Sequence, residues 1–124
     1  MPLISKRCAA SQSMHDQMVR TRAYDLRAQG YAVSADLPGF QMPPAVLGRR
    51  PDILAVNGTS AIIVEAKTAD TLCSDHTREQ FRSFSARPGT EFHVVVPRSC
   101  LFDALIWASA WNVRVDEWWT HQGY

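Results

Sequence analysis

Apolar residues recur mostly at three- and four-residue steps over residues 13–29 (Met14, Met18, Val19, Ala23 and Leu26), the period of an amphipathic helix, and Gly30 supplies its stop. Tyr31-Ala32-Val33 then reads as the start of a strand. Residues 38–50 carry Pro38, Gly39, Pro43, Pro44 and Gly48, and are expected to form a loop. Two strand-like runs at 52–56 and 61–67 are joined through Asn57-Gly58, a strong hairpin signal. A polar stretch leads into a second helix over 75–85, with Phe81 and Phe84 on one face. The mostly apolar run 92–96 has the pattern of a buried central strand. Pro97 ends it, Ser99 is placed to cap a third helix reaching Ala110, and Val113-Arg114-Val115 reads as a last, edge strand. Helix, three strands, helix, strand, helix, strand calls for the α/β class, one mixed sheet covered by helices. Residues 1–12 read as a loosely held arm ahead of a single domain over 13–124.

Length and charge narrow the function classes. A chain of 124 residues, 46% apolar and 20% charged, supports one domain with one buried core. Its net charge of +1 gives no global field towards nucleic acid or membrane, so a polyanion has to be held by a local basic patch. The longest apolar stretch, residues 101–111, contains Asp103 and is too short to span a bilayer. The first residues lack the long apolar core of a secretory signal. Cys8, Cys73 and Cys100 are odd in number and widely spaced, which fits reduced thiols, so a cytoplasmic protein is expected. None of His15, His76, His93 and His121 has metal-ligand spacing; they read as surface or packed residues, with His76, opening the second helix, the one expected near a cleft. No nucleophile elbow, phosphate-binding loop or dinucleotide fingerprint is present. Trp107, Trp111, Trp118 and Trp119 are expected to fill a core or a subunit interface rather than to stack bases.

The chemistry lies in the hairpin. Side chains alternate along a strand, so Glu65 and Lys67 point the same way, about 7 Å apart. With a two-residue turn at Asn57-Gly58, Asp52 is the diagonal neighbour of Glu65; with a four-residue loop over 57–60 the two sit directly opposite. A three-residue loop without a bulge puts them on opposite faces. Two carboxylates converging on a sheet covered by helices repel and lose hydration, so one acquires a raised pKa unless a cation joins them. Mg²⁺ or Mn²⁺ suits such oxygen donors, and Lys67 beside the ion is placed to orient water and offset charge on a phosphate. The competing reading is a structural salt bridge to Lys67 or Arg50.

Pro51-Asp52, twelve intervening residues and Glu65-Ala66-Lys67 resemble the signature of the PD-(D/E)XK nuclease superfamily, which includes restriction endonucleases, Holliday-junction resolvases and RecB-type nucleases. The order of elements over residues 13–96 is similar to that superfamily's core, and the resemblance implies a restriction-endonuclease-like fold. It implies that Asp52, Glu65 and the backbone carbonyl of Ala66 bind Mg²⁺ or Mn²⁺ and that Lys67 is the catalytic lysine. Gln80 with Phe84 is similar to a glutamine–aromatic pair found in some branches and joins the catalytic set. Many members carry a metal-binding Glu on the first helix; this helix has none, and Asp16 is the candidate in its place. Arg49, Arg50, Arg78 and Arg82 are the candidate phosphate contacts. The implied activity is metal-dependent hydrolysis of phosphodiester bonds in DNA, with a homodimer formed through the Trp-rich C-terminal end. The rivals are an RNA-directed, toxin-like nuclease and a catalytically silent module that binds nucleic acid or protein.

Overall fold

In the computed structural model, which describes residues 9–122, the chain runs α1 (Ala9–Ala28), β1 (Ala32–Ala35), β2 (Ile53–Asn57), β3 (Ser60–Ala66), α2 (Asp75–Ser85), β4 (Thr90–Pro97), α3 (Leu101–Ala110) and β5 (Glu117–His121). The strands form one mixed sheet of five in the order β1-β2-β3-β4-β5, antiparallel through β3 and parallel from β3 to β5. Alternation along the strands divides two cores. Ile53, Ala55, Ile62, Val64, Ala66 and Val95 meet the Met14–Leu26 stripe of α1, whereas Ile63, Phe92, Val94 and Val96 meet Phe81 and Phe84 of α2 and Ala104 of α3. β3 is thus apolar on both faces until its last residues, as a strand between two helical layers must be. Among the described residues no helix is long and apolar enough to cross a membrane.

The hairpin turns through two residues, Gly58-Thr59 rather than Asn57-Gly58, and so has the register expected of the four-residue loop. Asn57 pairs with Ser60, and the turn between them places Gly58 at φ +62°, a conformation that costs glycine nothing. α2 occupies the expected span, and Ser74 caps it by accepting the Thr77 N–H at 3.1 Å.

Three boundaries differ from expectation. Helix α1 includes residues 9–12, assigned above to the arm: Ala9-Ala10 favours helix, and Ser11 Oγ is tied to Thr68 Oγ1 at 2.9 Å and to Asp70 Oδ1 at 2.7 Å. Residues 1–8 lie outside the described residues. Ser99 caps nothing; it sits inside a 3₁₀ turn, Arg98–Cys100, through which the chain passes straight from β4 into α3. The final strand is at the sheet edge but begins at Glu117. Val113 and Val115 instead lie against the α2–α3 core, and pairing starts only after Asp116 grips Phe92, its N–H donating to the Phe92 carbonyl and its carboxylate accepting the Phe92 N–H, each at 2.8 Å.

Trp118 and Trp119 lie on opposite faces of β5 and pack into the two cores, so they do not form an exposed C-terminal surface. On α3, Ala104 and Ala108 face inward while Phe102 (74% exposed), Leu105, Ile106 and Trp107 face outward; Tyr24, Met42, Leu47 and Val56 are the other large apolar side chains exposed among the described residues.

Candidate active site

One residue beyond the Ile53–Val64 pair, the register sets Asp52 directly opposite Glu65. The ladder ends here, and the two side chains satisfy the amides it leaves over. The Asp52 N–H donates to Glu65 Oε2 at 2.8 Å, and the Ala66 N–H donates to Asp52 Oδ2 at 2.8 Å. Each carboxylate is therefore clasped by the neighbouring strand's backbone. In extended chain the Ala66 carbonyl points to the same strand edge as its N–H, the β2 side.

Burial and mutual repulsion divide the protons of this pair unevenly. Burial, then the charge of Asp52, pushes the Glu65 carboxyl up to about 8, against the opposing pull of Lys67 and the Asp52 amide. Burial acts the same way on Asp52, but His15, the Ala66 amide and Lys67 outweigh it and hold Asp52 below its ordinary value. Two carboxylates in one site with separated proton affinities are a common arrangement in catalytic centres.

Lys67 and Gln80 meet beside the two carboxylates. Lys67 is buried at the end of β3, its Nζ lies 3.7 Å from Glu65 Oε1, and it donates a short hydrogen bond to Gln80 Oε1 from α2. Gln80 reaches the lysine because Thr77, Phe81 and Phe84 of the same helix are anchored on the sheet.

α1 contributes a residue the sequence reading did not select. His15 Nε2 is 3.2 Å from Asp52 Oδ2, and its Nδ1 is 3.3 Å from Asp16 Oδ1. Asp16 thus meets the site only through His15, and it also accepts from Gln12 Nε2 at 3.0 Å. Asp16, the candidate metal ligand of this helix, is linked to Asp52 through His15. The available signal was the spacing of Ser11 and His15, one helical turn apart on the edge of the apolar stripe, since Ser11 also reaches the chain just after Lys67.

The four arginines separate. Arg49 donates from Nε to Ser83 Oγ at 3.3 Å, bringing the loop at 43–50 onto α2. Arg50 turns away to the Pro43 carbonyl, and Arg78 is engaged by Asp75 at 3.5 Å and Glu79 at 4.0 Å on α2 itself. Arg82, one turn after Arg78, shares that flank rather than the Gln80 side. His76 lies within electrostatic reach of Lys67 and Arg49; burial first, then those two cations, keeps its imidazole below the usual histidine value.

The donors suit a hard divalent cation: two carboxylates, one of them 99% buried and lacking a cation of its own beyond Lys67, plus a carbonyl on the same edge. Among the described residues no three His, Cys, Asp or Glu side chains form a ready-made metal group. Asp52, Glu65 and the Ala66 carbonyl are the oxygen donors this edge offers to such an ion, with its remaining positions left to water. Comparison with family models, curated proteins and solved structures finds no match for this chain.

Proposed function

We propose that this chain is a metal-dependent nuclease of the PD-(D/E)XK type, with a restriction-endonuclease-like fold, that hydrolyses phosphodiester bonds of DNA. The observation that carries the reading is the direct opposition of Asp52 and Glu65 across β2 and β3, with Lys67 Nζ 3.7 Å from Glu65 and fixed by Gln80. A structural ion pair accounts for one carboxylate beside Lys67. The second, Asp52, is held by His15 and the Ala66 amide; once Glu65 loses its proton the two facing carboxylates repel, and a divalent cation between them would relieve that repulsion.

A bound Mg²⁺ or Mn²⁺ would supply Lewis-acid polarisation of the phosphoryl oxygen and a more acidic water. Asp52 and Glu65 would hold that ion at the strand ends. The Lys67 ammonium orients the attacking water and offsets the charge that grows on the phosphoryl oxygens. Gln80 Oε1 holds Nζ in that orientation, and His15 keeps the Asp52 carboxylate turned into the site.

Digestion of plasmid DNA and of tRNA side by side, with Mg²⁺ or with EDTA, tests this for wild type and Lys67→Ala. The expected result is Mg²⁺-dependent cutting of plasmid that falls about a hundredfold or more in the variant. Equal cutting by both proteins refutes the site. Cutting confined to tRNA shifts the substrate to RNA, and binding without cutting that survives Asp52→Ala supports the silent module.

A further inference from the structure

Helix α2 carries two stripes. Thr77, Phe81 and Phe84 are buried against the sheet, while His76, Gln80 and Ser83, spaced i, i+4 and i+7, form a polar stripe beside them. That polar stripe meets three positive or proton-donating groups in sequence: Lys67 on Gln80, Arg49 on Ser83, and His76 itself within reach of both cations. Among the described residues no carboxylate pairs with Arg49 or with His76, whereas Arg78 on the other flank already has Asp75 and Glu79. Arg49, a cation with no carboxylate partner among the described residues, and the exposed His76 each offer N–H donors to an anion placed along this edge.

We propose that the edge where the 43–50 loop meets α2 is a backbone-phosphate subsite, in which Arg49 and His76 hold the DNA phosphate flanking the one at Lys67. This rests on the nuclease reading and assigns the strand's path, along the His76–Gln80–Ser83 stripe and away from Arg50, Arg78 and Arg82. Arg49 supplies the charge, with Ser83 fixing its orientation through Nε and leaving the outer guanidinium nitrogens for phosphate oxygens. His76 donates a ring N–H.

The test is binding of a fluorescently labelled 20-base-pair duplex in EDTA, followed by anisotropy between about 50 and 200 mM NaCl, together with Mg²⁺-dependent cleavage. Wild type is compared with Arg49→Ala, Arg49→Lys, His76→Ala and Arg78→Ala. Arg49→Ala is expected to weaken binding about tenfold and to lower the slope of log K against log salt by about one. His76→Ala is expected to weaken it about threefold, with KM raised more than kcat is lowered in both variants. Arg49→Lys keeps the charge and recovers part of the affinity, which separates contact from misfolding; Arg78→Ala stays within about twofold of wild type. Arg49→Ala and His76→Ala binding like wild type, or Arg78→Ala losing as much as they do, overturns the subsite while leaving the nuclease reading intact. A wild type that neither binds nor cuts DNA removes both.

Discussion

Glu65→Gln is expected to make the ion-free protein more stable and unable to respond to a divalent ion. With its proton affinity raised from the ordinary 4.5 to about 8, folded Glu65 keeps at pH 7 a proton that the unfolded chain has released. Stability therefore falls as pH rises from about 4.5 towards 8. Each tenfold in proton affinity is worth about 1.4 kcal/mol, so at pH 7 the cost to the fold reaches about 3 kcal/mol. Glutamine has the shape of the protonated acid and can still accept the Asp52 N–H, but it places an NH₂ near Lys67, so a net gain of about 1–2 kcal/mol is expected, or about 3–8 °C in Tm. Thermal melts of both proteins in EDTA between pH 6.5 and 8 measure the difference, in which the titration of other groups largely cancels. Wild type should lose stability across that range and the variant should not. Addition of about 10 mM Mg²⁺ should raise the Tm of wild type alone, by mass action. A variant less stable than wild type in EDTA at pH 7–8, or one that still gains from Mg²⁺, refutes the reasoning.

Two further outcomes are expected. Because Glu65 must lose its proton before it can bind an ion while Asp52 is already ionised, apparent Mg²⁺ affinity should fall about tenfold for each pH unit below about 8; calorimetry in buffers of different ionisation enthalpy should show a proton released per ion, and a pH-independent affinity would contradict it. Arg22 is a buried cation whose Nε has no partner, which pairs with Asp25 at 3.4 Å and stacks 3.9 Å from the Trp119 ring. In urea denaturation Arg22→Met should leave stability within about 1 kcal/mol of wild type or raise it, because methionine keeps the packing and removes the desolvated charge, whereas a loss of about 3 kcal/mol would show that the charge itself is needed.

The sequence exposed those parts of the site that depend on local geometry. Asn57-Gly58 confined the hairpin to a few registers, and both even ones bring Asp52 and Glu65 to one face. Lys67 follows from strand alternation, whereas Gln80 came from the resemblance, its i, i+4 spacing to Phe84 allowing it to point at the site while Phe84 packs. His15 was not legible in the same way, because its contact with Asp52 depends on how α1 crosses the strand ends, 37 positions away in the chain. Val113 and Val115 imitated a strand by alternating, yet that alternation reflects packing against the α2–α3 core, and the ladder waits for the side chain of Asp116. Ser99 was a plausible cap by residue type, but a 3₁₀ turn satisfied the chain there without it. The fold class itself was readable because the order of periodicities survives such shifts of a few residues.

The convergence of Asp52 and Glu65 on one divalent ion is most directly tested by anomalous diffraction from crystals soaked in millimolar Mn²⁺. A single strong peak is expected about 2.0–2.2 Å from an oxygen of each carboxylate, with the Ala66 carbonyl beside it and the Lys67 ammonium outside the coordination sphere. No peak, or a peak elsewhere while Asp52 and Glu65 keep only their clasp on the Ala66 and Asp52 amides, would contradict the proposed site.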